Sequence, residues 1–366
     1  MYSQSDLDEA VAAGVLSADA ANALRNFIDD QRTTPAVDEE HFRLLTGFND
    51  IFVSIASAIL LFAVGWIGYS IGASTGLVME EGPSPLSPAA VAATAWGLAL
   101  YFTAKRRMAL PSILLLLAFV GGVIGTAFLT FAMLAGAGAL ENNQPLAGIL
   151  ASAAAASGAI AAWFHWKRFR VPITVAAGAA ATVGIAVGLL VSALGDRTNV
   201  REIVLGFVLL LGVGVFLFAM RWDSSDPARV TRRSDVAFWL HLLAAPMIVH
   251  PVFTLLGLNQ GRATIGEGLV VILLYIALGI TALAIDRRAL LVSALAYVLW
   301  ALSELFKQFG AVELNIALTA LVIGSALLLL SAFWHQARAA IVRPLPDNLR
   351  ARLPRINERV SPQPAA

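Results

Sequence analysis

Long apolar segments recur along the chain from residue 51 to residue 334, and the turns between them alternate between rich and poor in positive charge. A bilayer core of about 30 Å requires about 20 apolar residues in a helix. Ten segments fit that requirement, the second being the shortest: 51–72, 88–104, 111–135, 145–166, 171–194, 202–220, 236–257, 266–285, 289–308 and 312–334. The sequence therefore predicts an all-α fold, a polytopic membrane helix bundle with about ten transmembrane helices.

The basic residues indicate how the segments are oriented. If the chain crosses the membrane at each segment, all of its 25 Lys and Arg residues face one compartment except Arg197, Arg201, Arg262 and Lys307. Lys and Arg are retained on the cytoplasmic side of membranes. Both termini are thus expected in the cytoplasm. We expect a multi-pass protein of the bacterial inner (cytoplasmic) membrane, with the lipid bilayer as its main partner.

The composition excludes several classes of protein. The chain is 58% hydrophobic and 13% charged, whereas a soluble domain is about 25% charged. It has no cysteine, which excludes disulfides, thiolate metal sites and a cysteine nucleophile. Phosphate-binding, dinucleotide-binding, zinc-protease and serine-hydrolase motifs are absent from the sequence. We expect no catalytic residues, no enzyme activity, no cofactor, no metal and no nucleic-acid partner.

Residues 1–30 are predicted to form a small cytoplasmic helical hairpin. Ser5 and Asp8 have the spacing of a capping box. Gly14 is expected to end the first helix in a left-handed conformation, and Ser17 is expected to cap a second helix that extends to about residue 30. The hairpin has too few apolar residues for a core of its own. We therefore expect it to dock on the membrane face, on another copy of the chain or on a protein partner.

The remaining chain divides into three parts. Residues 31–50 are predicted to be a linker and juxtamembrane segment, 51–334 the transmembrane bundle, and 335–366 a basic, Pro-rich cytoplasmic tail. An oligomer or a protein partner would be engaged through residues 5–30.

Three stretches resemble a known group of proteins. These are the hairpin LDEAVAAGVLSADAANALRNFI, the juxtamembrane DEEHFRLLTGFNDIF and the later DVAFWLHLLAAPMIVHP. The chain resembles proteobacterial predicted integral membrane proteins of a bacterial domain-of-unknown-function family with an N-terminal helical hairpin. The resemblance implies a membrane bundle and no particular activity.

Small residues at four-residue spacing are expected to bring helices into close contact. The pairs are Gly68 with Gly72, Gly121 with Gly125, and Gly184 with Gly188. Such contacts serve tight packing within one bundle, and they are also compatible with helices that rock during transport.

Ionisable residues inside spans are costly and indicate function by default. His250 and Glu304 lie 14 and 15 residues after the starts of spans that both run outward, so they share a depth in the outer half of the bundle. We hypothesise that they pair, with Asn315 nearby, at a site for a ligand or for protons. Pro246 and Pro251 are expected to kink the helix that carries His250.

Purely structural roles are the alternative to a ligand or proton site for these residues. Glu304 could reach water beside Lys307, while His250 bonds to carbonyls freed by the prolines. His241 is interpreted as an interfacial histidine near the cytoplasmic boundary, beside Trp239.

Three functional classes are compatible with the sequence. The first is a transporter-like protein with its polar site in the outer half of the bundle. The second is a membrane-anchored scaffold or regulatory protein that acts through the N-terminal hairpin. The third is an intramembrane enzyme, for which no nucleophile and base are evident.

Overall fold

The structure is a computed structural model of the 366-residue chain. It describes residues 11–23, 48–78, 82–141, 143–226, 231–256, 265–288 and 314–350, together with positions 291, 295, 298–299, 302–303, 306 and 353. The chain forms two compact units, residues 1–48 and 49–366.

The described part of the larger unit is all-helical, as predicted. Its principal helices are α1 Phe48–Ser74, α2 Leu86–Phe102, α3 Ala109–Ala135, α4 Gln144–Phe169, α5 Ile173–Leu194, α6 Val200–Ser224, α7 Arg232–Leu255, α8 Ile265–Ile285, α9 Asn315–Ala332 and α10 Trp334–Val342. Two short helical segments, Ala137–Glu141 and Asp347–Arg350, are also described. Each predicted span except the ninth coincides with one of these helices.

Six helices in the described residues, α1 and α3 to α7, are long and apolar enough to cross a membrane, and the bent pair of α9 and α10 would make a seventh. Helices α2 and α8 are apolar but shorter in their described parts. The predicted ninth span, 289–308, lies largely outside the described residues. A multi-pass membrane protein is therefore supported, whereas the count of ten and the cytoplasmic location of both termini stay predictions.

Helices α4 and α5 form an antiparallel hairpin whose backbones touch. A Cβ added to Gly148 of α4 would lie 2.5 Å from the Gly188 carbonyl oxygen of α5. Ser152 Oγ donates to the Ile185 carbonyl across the same interface, at 3.0 Å. The small residues of these spans therefore bring the two backbones together, as the sequence predicts.

The other two predicted glycine pairs have different outcomes. Gly68 and Gly72 contact the chain just before and at the start of α2, at Leu86 and Ser84. In α3 a Cβ at Gly125 would lie 3.2 Å from the Pro88 side chain of α2, and the closest approach is at Gly122, whereas a Cβ at Gly121 would meet nothing within 4 Å. The predicted contact is therefore confirmed at Gly125 and wrong at Gly121, because the face of α3 that meets α2 contains Gly122 and Gly125.

The core consists of small clusters between neighbouring helices. Leu116 and Val120 of α3 pack on Ala161 of α4 and Ile173 of α5. The next cluster joins α5, α6 and α7, and a third joins α7 and α8 to Trp334 of α10. The helices therefore pack side by side in chain order. Helix α7 contacts α5 and α6 through one cluster and α8 through the next.

The outward surface is strongly apolar. On α1 the side chains of Phe62 and Trp66 are 72% and 64% exposed. Helix α6 exposes Leu210 and Leu217 to a similar degree. Continuous apolar surface of this extent is unusual on a soluble monomer and fits helices surrounded by lipid.

The chain bends by 74° between α9 and α10. Phe333 forms the break, and α10 buries Trp334, Arg338 and Val342 on one face. The segment predicted as a tail from residue 335 therefore begins with a helix that packs by this face.

In the smaller unit the structure describes only residues 11–23 and Phe48. Gly14 has a φ of +71°, and its N–H donates to the Val11 carbonyl. Ser17 Oγ accepts a hydrogen bond from the Ala20 N–H at 3.1 Å. Both local predictions, a stop at Gly14 and a cap at Ser17, are confirmed, whereas Ser5 and Asp8 lie outside the described residues.

Candidate functional site

The predicted outer site is described only in part. His250 lies on α7 and is exposed. Pro246 and Pro251 lie inside the same helix, which continues through both to Leu255. Glu304 lies outside the described residues, and Asn315 is described only as the first residue of α9. The proposed meeting of His250 with Glu304 therefore stays a prediction.

A different polar cluster occupies the end of the bundle where α6 ends and α7 begins. Asp223, in the last turn of α6, is 3% exposed, and His241 of α7 is completely buried. His241 Nε2 lies 3.1 Å from Asp223 Oδ2. An ionised carboxylate only accepts hydrogen bonds, so Nε2 carries the hydrogen and donates it.

This position corrects the interpretation of His241 as an interfacial residue. Its ring faces the neighbouring helices rather than the bilayer surface, with Phe216 of α6 in edge contact at 5.3 Å. The physical reason is the carboxylate of Asp223, which gives the imidazole a hydrogen-bond acceptor inside the bundle. The position of a residue along a span does not determine which face of the helix it occupies.

Arg287 completes the cluster from the end of α8. It is 3% exposed, and its Nε and Nη2 donate to the two oxygens of Asp223 at 3.2 and 2.5 Å. Nη2 also donates to the Ser234 carbonyl at 3.1 Å and to Ser234 Oγ at 3.0 Å. We call Asp223, Ser234, His241 and Arg287 the ionic junction, because together they connect α6, α7 and the end of α8.

The local fold after α8 sets the position of Arg287. Asp286 has a φ of +57°, the left-handed conformation that ends many helices. The Arg287 N–H donates back to the Ala282 carbonyl at 2.8 Å and the Asp286 N–H to the Leu283 carbonyl at 3.3 Å. This Schellman pattern turns the chain away from the helix axis and directs Arg287 towards α6 and α7.

The two neighbours of Arg287 bind a different helix. Asp286 Oδ1 accepts a hydrogen bond from Trp334 Nε1 at 2.6 Å, and Arg338 Nε lies 3.8 Å from the same oxygen. The Arg288 guanidinium lies over the Trp334 ring, 4.9 Å from its centroid. Three successive residues therefore connect α8 to α6 and α7 on one side and to α10 on the other.

A buried pair of charges persists only when its members satisfy each other. Removing an ion from water costs several kcal/mol even after relaxation, and the cost is recovered through good geometry and additional hydrogen bonds. Asp223 receives three donor groups and Arg287 also binds Ser234. The junction can therefore hold helix ends together as long as it is intact, and separating its members would expose unpaired charge.

The junction is unsuited to a metal ion. Among the described residues no group of three or more His, Asp, Glu or Cys side chains could hold one. The guanidinium of Arg287 already occupies both oxygens of Asp223. Its chemistry is that of an ion pair and hydrogen bonds.

The second buried histidine, His165 of α4, lies in aromatic surroundings. Its Nδ1 is 3.2 Å from Thr174 Oγ1 of α5. The rings of Phe169, Phe119 and Trp96 have their centroids 4.6, 6.1 and 6.2 Å from the imidazole. This side chain joins α4 to α5 and packs against α2 and α3.

Sequence reasoning missed Asp223 and counted Arg287 only as a topological charge. One signal was available. Asp223 and Asp286 are acidic residues in turns that otherwise carry the positive charge expected on the cytoplasmic side. An acidic residue beside a basic turn is a candidate partner for one of the arginines, although the sequence does not say which one.

Comparison of the chain with protein-family models, with curated proteins and with solved structures finds no match.

Proposed function

We propose that this chain is a ten-span protein of the bacterial inner membrane that belongs to the transporter class, and that the ionic junction is its cytoplasmic gate. One observation carries the proposal: four buried polar groups from three helices meet where α6 and α8 end and α7 begins. The basic turns predict that this end faces the cytoplasm.

Alternating access requires that one end of a central site be closed while the other is open. A buried ion pair with additional hydrogen bonds resists opening, because separating its members before water enters leaves a buried charge without its partner. The predicted outer site at His250, Glu304 and Asn315 would lie beyond the gate, towards the periplasm. In this arrangement the junction determines when the site is reached from inside.

Because the chain contains no cysteine, a single introduced thiol reports access to one position. Ala245 is completely buried on α7, about one turn beyond His241. We expect Ala245→Cys to react slowly with a membrane-impermeant maleimide applied to inside-out vesicles. Adding Arg287→Gln should raise the rate about tenfold or more, since removing one partner of a buried pair weakens closure by more than about 1.4 kcal/mol.

A second thiol separates gating from unfolding. Leu116 of α3 is also completely buried, in a cluster that does not include the junction. Leu116→Cys should stay unreactive with and without Arg287→Gln. An equal increase in the labelling rate at both positions would mean a general loss of structure. An unchanged labelling rate at position 245 would contradict the proposed gate.

The scaffold function is the second candidate, because residues 1–48 form a compact unit of their own. Deletion of residues 1–40 distinguishes the two. A transporter core should keep its thiol-labelling behaviour after the deletion. A scaffold should lose its self-association or its partner, measured by crosslinking in native membranes, while the bundle remains folded.

A further inference from the structure

Two turns at the end of the bundle that carries the ionic junction expose six basic side chains. Lys105, Arg106 and Arg107 lie between α2 and α3, and Lys167, Arg168 and Arg170 lie in and after the last turn of α4; all six are exposed. Arg107 and Arg170 both have positive φ, near +54° and +53°, and each occupies the turn that reverses the chain. We call these six residues the basic cradle.

The two turns are neighbours in space. Phe169 of α4 packs with Ala99 of α2 and Leu115 of α3 in one hydrophobic cluster. Its ring centroid is 5.2 Å from that of Trp96 of α2. The ends of α2 and α4 therefore lie side by side, which places both sets of cations on one edge of the bundle.

This positive charge has no acidic counterpart nearby in the chain. Between residues 82 and 195 the sequence contains one acidic residue, Glu141. It follows α3, at the opposite end of that helix from the cradle. Among the described residues near this end, Asp223 and Asp286 are buried and paired with arginines, Asp226 is hydrogen-bonded to the start of α7, and Asp235 lies in the first turn of α7. The cradle is therefore a cluster of six cations with no carboxylate in its own two turns.

Exposed aromatic rings lie directly against the cradle. Lys167 Nζ is 3.9 Å from the centroid of the Trp163 ring, and Trp163 is 49% exposed beside Phe164. On the other turn, Arg106 Nε donates to the Tyr101 hydroxyl at 3.2 Å. Trp and Tyr prefer the level of lipid headgroups, and the rings hold the cations at that level instead of extended into water.

We propose that the basic cradle binds an anionic glycerophospholipid of the cytoplasmic leaflet. The phosphodiester accepts charge-assisted hydrogen bonds from the lysines and arginines, and the acyl chains follow the exposed rings of Trp163, Phe164 and Tyr101. The charge selects an anionic headgroup, and the adjoining apolar surface selects a lipid over a free anion. This site lies on α2 to α5 and does not depend on the gate.

The test measures lipid binding to the full-length protein in detergent by native mass spectrometry. Phosphatidylglycerol is added to the wild type and to a variant that combines Lys105→Gln, Arg106→Gln, Lys167→Gln and Arg168→Gln. The control removes four exposed cations elsewhere, by Arg221→Gln, Arg232→Gln, Arg233→Gln and Arg343→Gln. We expect the first variant to bind about tenfold more weakly or worse, and the control to retain nearly wild-type binding.

Trp163→Leu keeps every charge and provides a variant with little risk to folding or insertion. It should also weaken phosphatidylglycerol binding, because the ring that holds Lys167 is gone. Equal losses of phosphatidylglycerol binding in the two charge variants would mean that the lipid is attracted by the overall positive charge of the protein and not by a specific site. That result would overturn the proposal. Equal binding of phosphatidylcholine, or full competition by inorganic phosphate, would overturn the assignment of an anionic lipid.

Discussion

Arg287 donates to both carboxylate oxygens of Asp223, a residue 64 positions earlier in the chain, and both side chains are almost completely buried. The pair joins the end of α6 to the end of α8, and through His241 and Ser234 it also binds α7. Charges in this position are costly unless they stay together. The relationship therefore makes the association of three helices depend on two side chains.

Asp223→Asn should destabilise the bundle by about 3 kcal/mol or more, because it leaves the buried Arg287 without a counter-charge. The matched control is Asp347→Asn, which breaks the exposed pair with Arg350 and should cost less than about 1 kcal/mol. Thermal unfolding of the purified protein in detergent measures both. Similar small shifts in the two variants would show that the buried pair contributes no more than a surface one.

Trp334→Phe tests the contact between Asp286 and α10. The change keeps an aromatic ring in the cluster with Ala245 and Leu283 but removes the Nε1–H that donates to Asp286. Losing a donor to a buried carboxylate should cost about 1–3 kcal/mol. Trp163→Phe is the control, since Trp163 is half exposed.

The same two variants also test whether the hydrogen bond protects α10 from local unfolding. We expect limited proteolysis to cleave near residue 342 faster in Trp334→Phe than in the wild type, and at an unchanged rate in Trp163→Phe. Unchanged cleavage in both would mean that the hydrogen bond to Asp286 does not hold α10 in place.

The helices were predictable and the ionic junction was not, for a physical reason. Length and hydropathy determine where a helix crosses a bilayer, and the predicted spans other than the ninth coincide with α1 to α9. A partner such as Arg287 for Asp223 depends on which helices are neighbours. That information is spread over many weak packing contacts, and a single sequence does not reveal it.

His241 shows this limit of sequence-based prediction for a single residue. It lies in the first half of α7, and its buried contact with Asp223 was not predicted, because one residue in either direction rotates a side chain by about 100° around the helix. The bend at Phe333 was missed for a related reason. The apolar run ends there without a proline or glycine to mark the break.

Gly148→Ala should destabilise the α4–α5 hairpin by about 1–3 kcal/mol, because the added methyl group overlaps backbone that cannot move aside. Its Cβ would lie 2.5 Å from the Gly188 oxygen and 2.6 Å from the Ser192 nitrogen. Gly206→Ala on α6 is the control, since nothing lies within 4 Å of a Cβ there. Alanine at that position should leave stability unchanged or raise it by up to about 1 kcal/mol. Equal effects on the unfolding temperature would contradict the close contact.

The orientation of the bundle is tested by single thiols at three exposed positions: Thr75 between α1 and α2, Ser225 between α6 and α7, and Asn348 after α10. The alternation of basic turns predicts Thr75 outside and the other two in the cytoplasm. In intact cells with a permeable outer membrane, an impermeant maleimide should therefore label Thr75→Cys at once. Ser225→Cys and Asn348→Cys should react only after the inner membrane is opened. None of the three substitutions changes a charge, so the topology signal stays intact in each variant. Labelling of Asn348→Cys from outside would require an odd number of spans and would place the ionic junction and the end of the chain in different compartments.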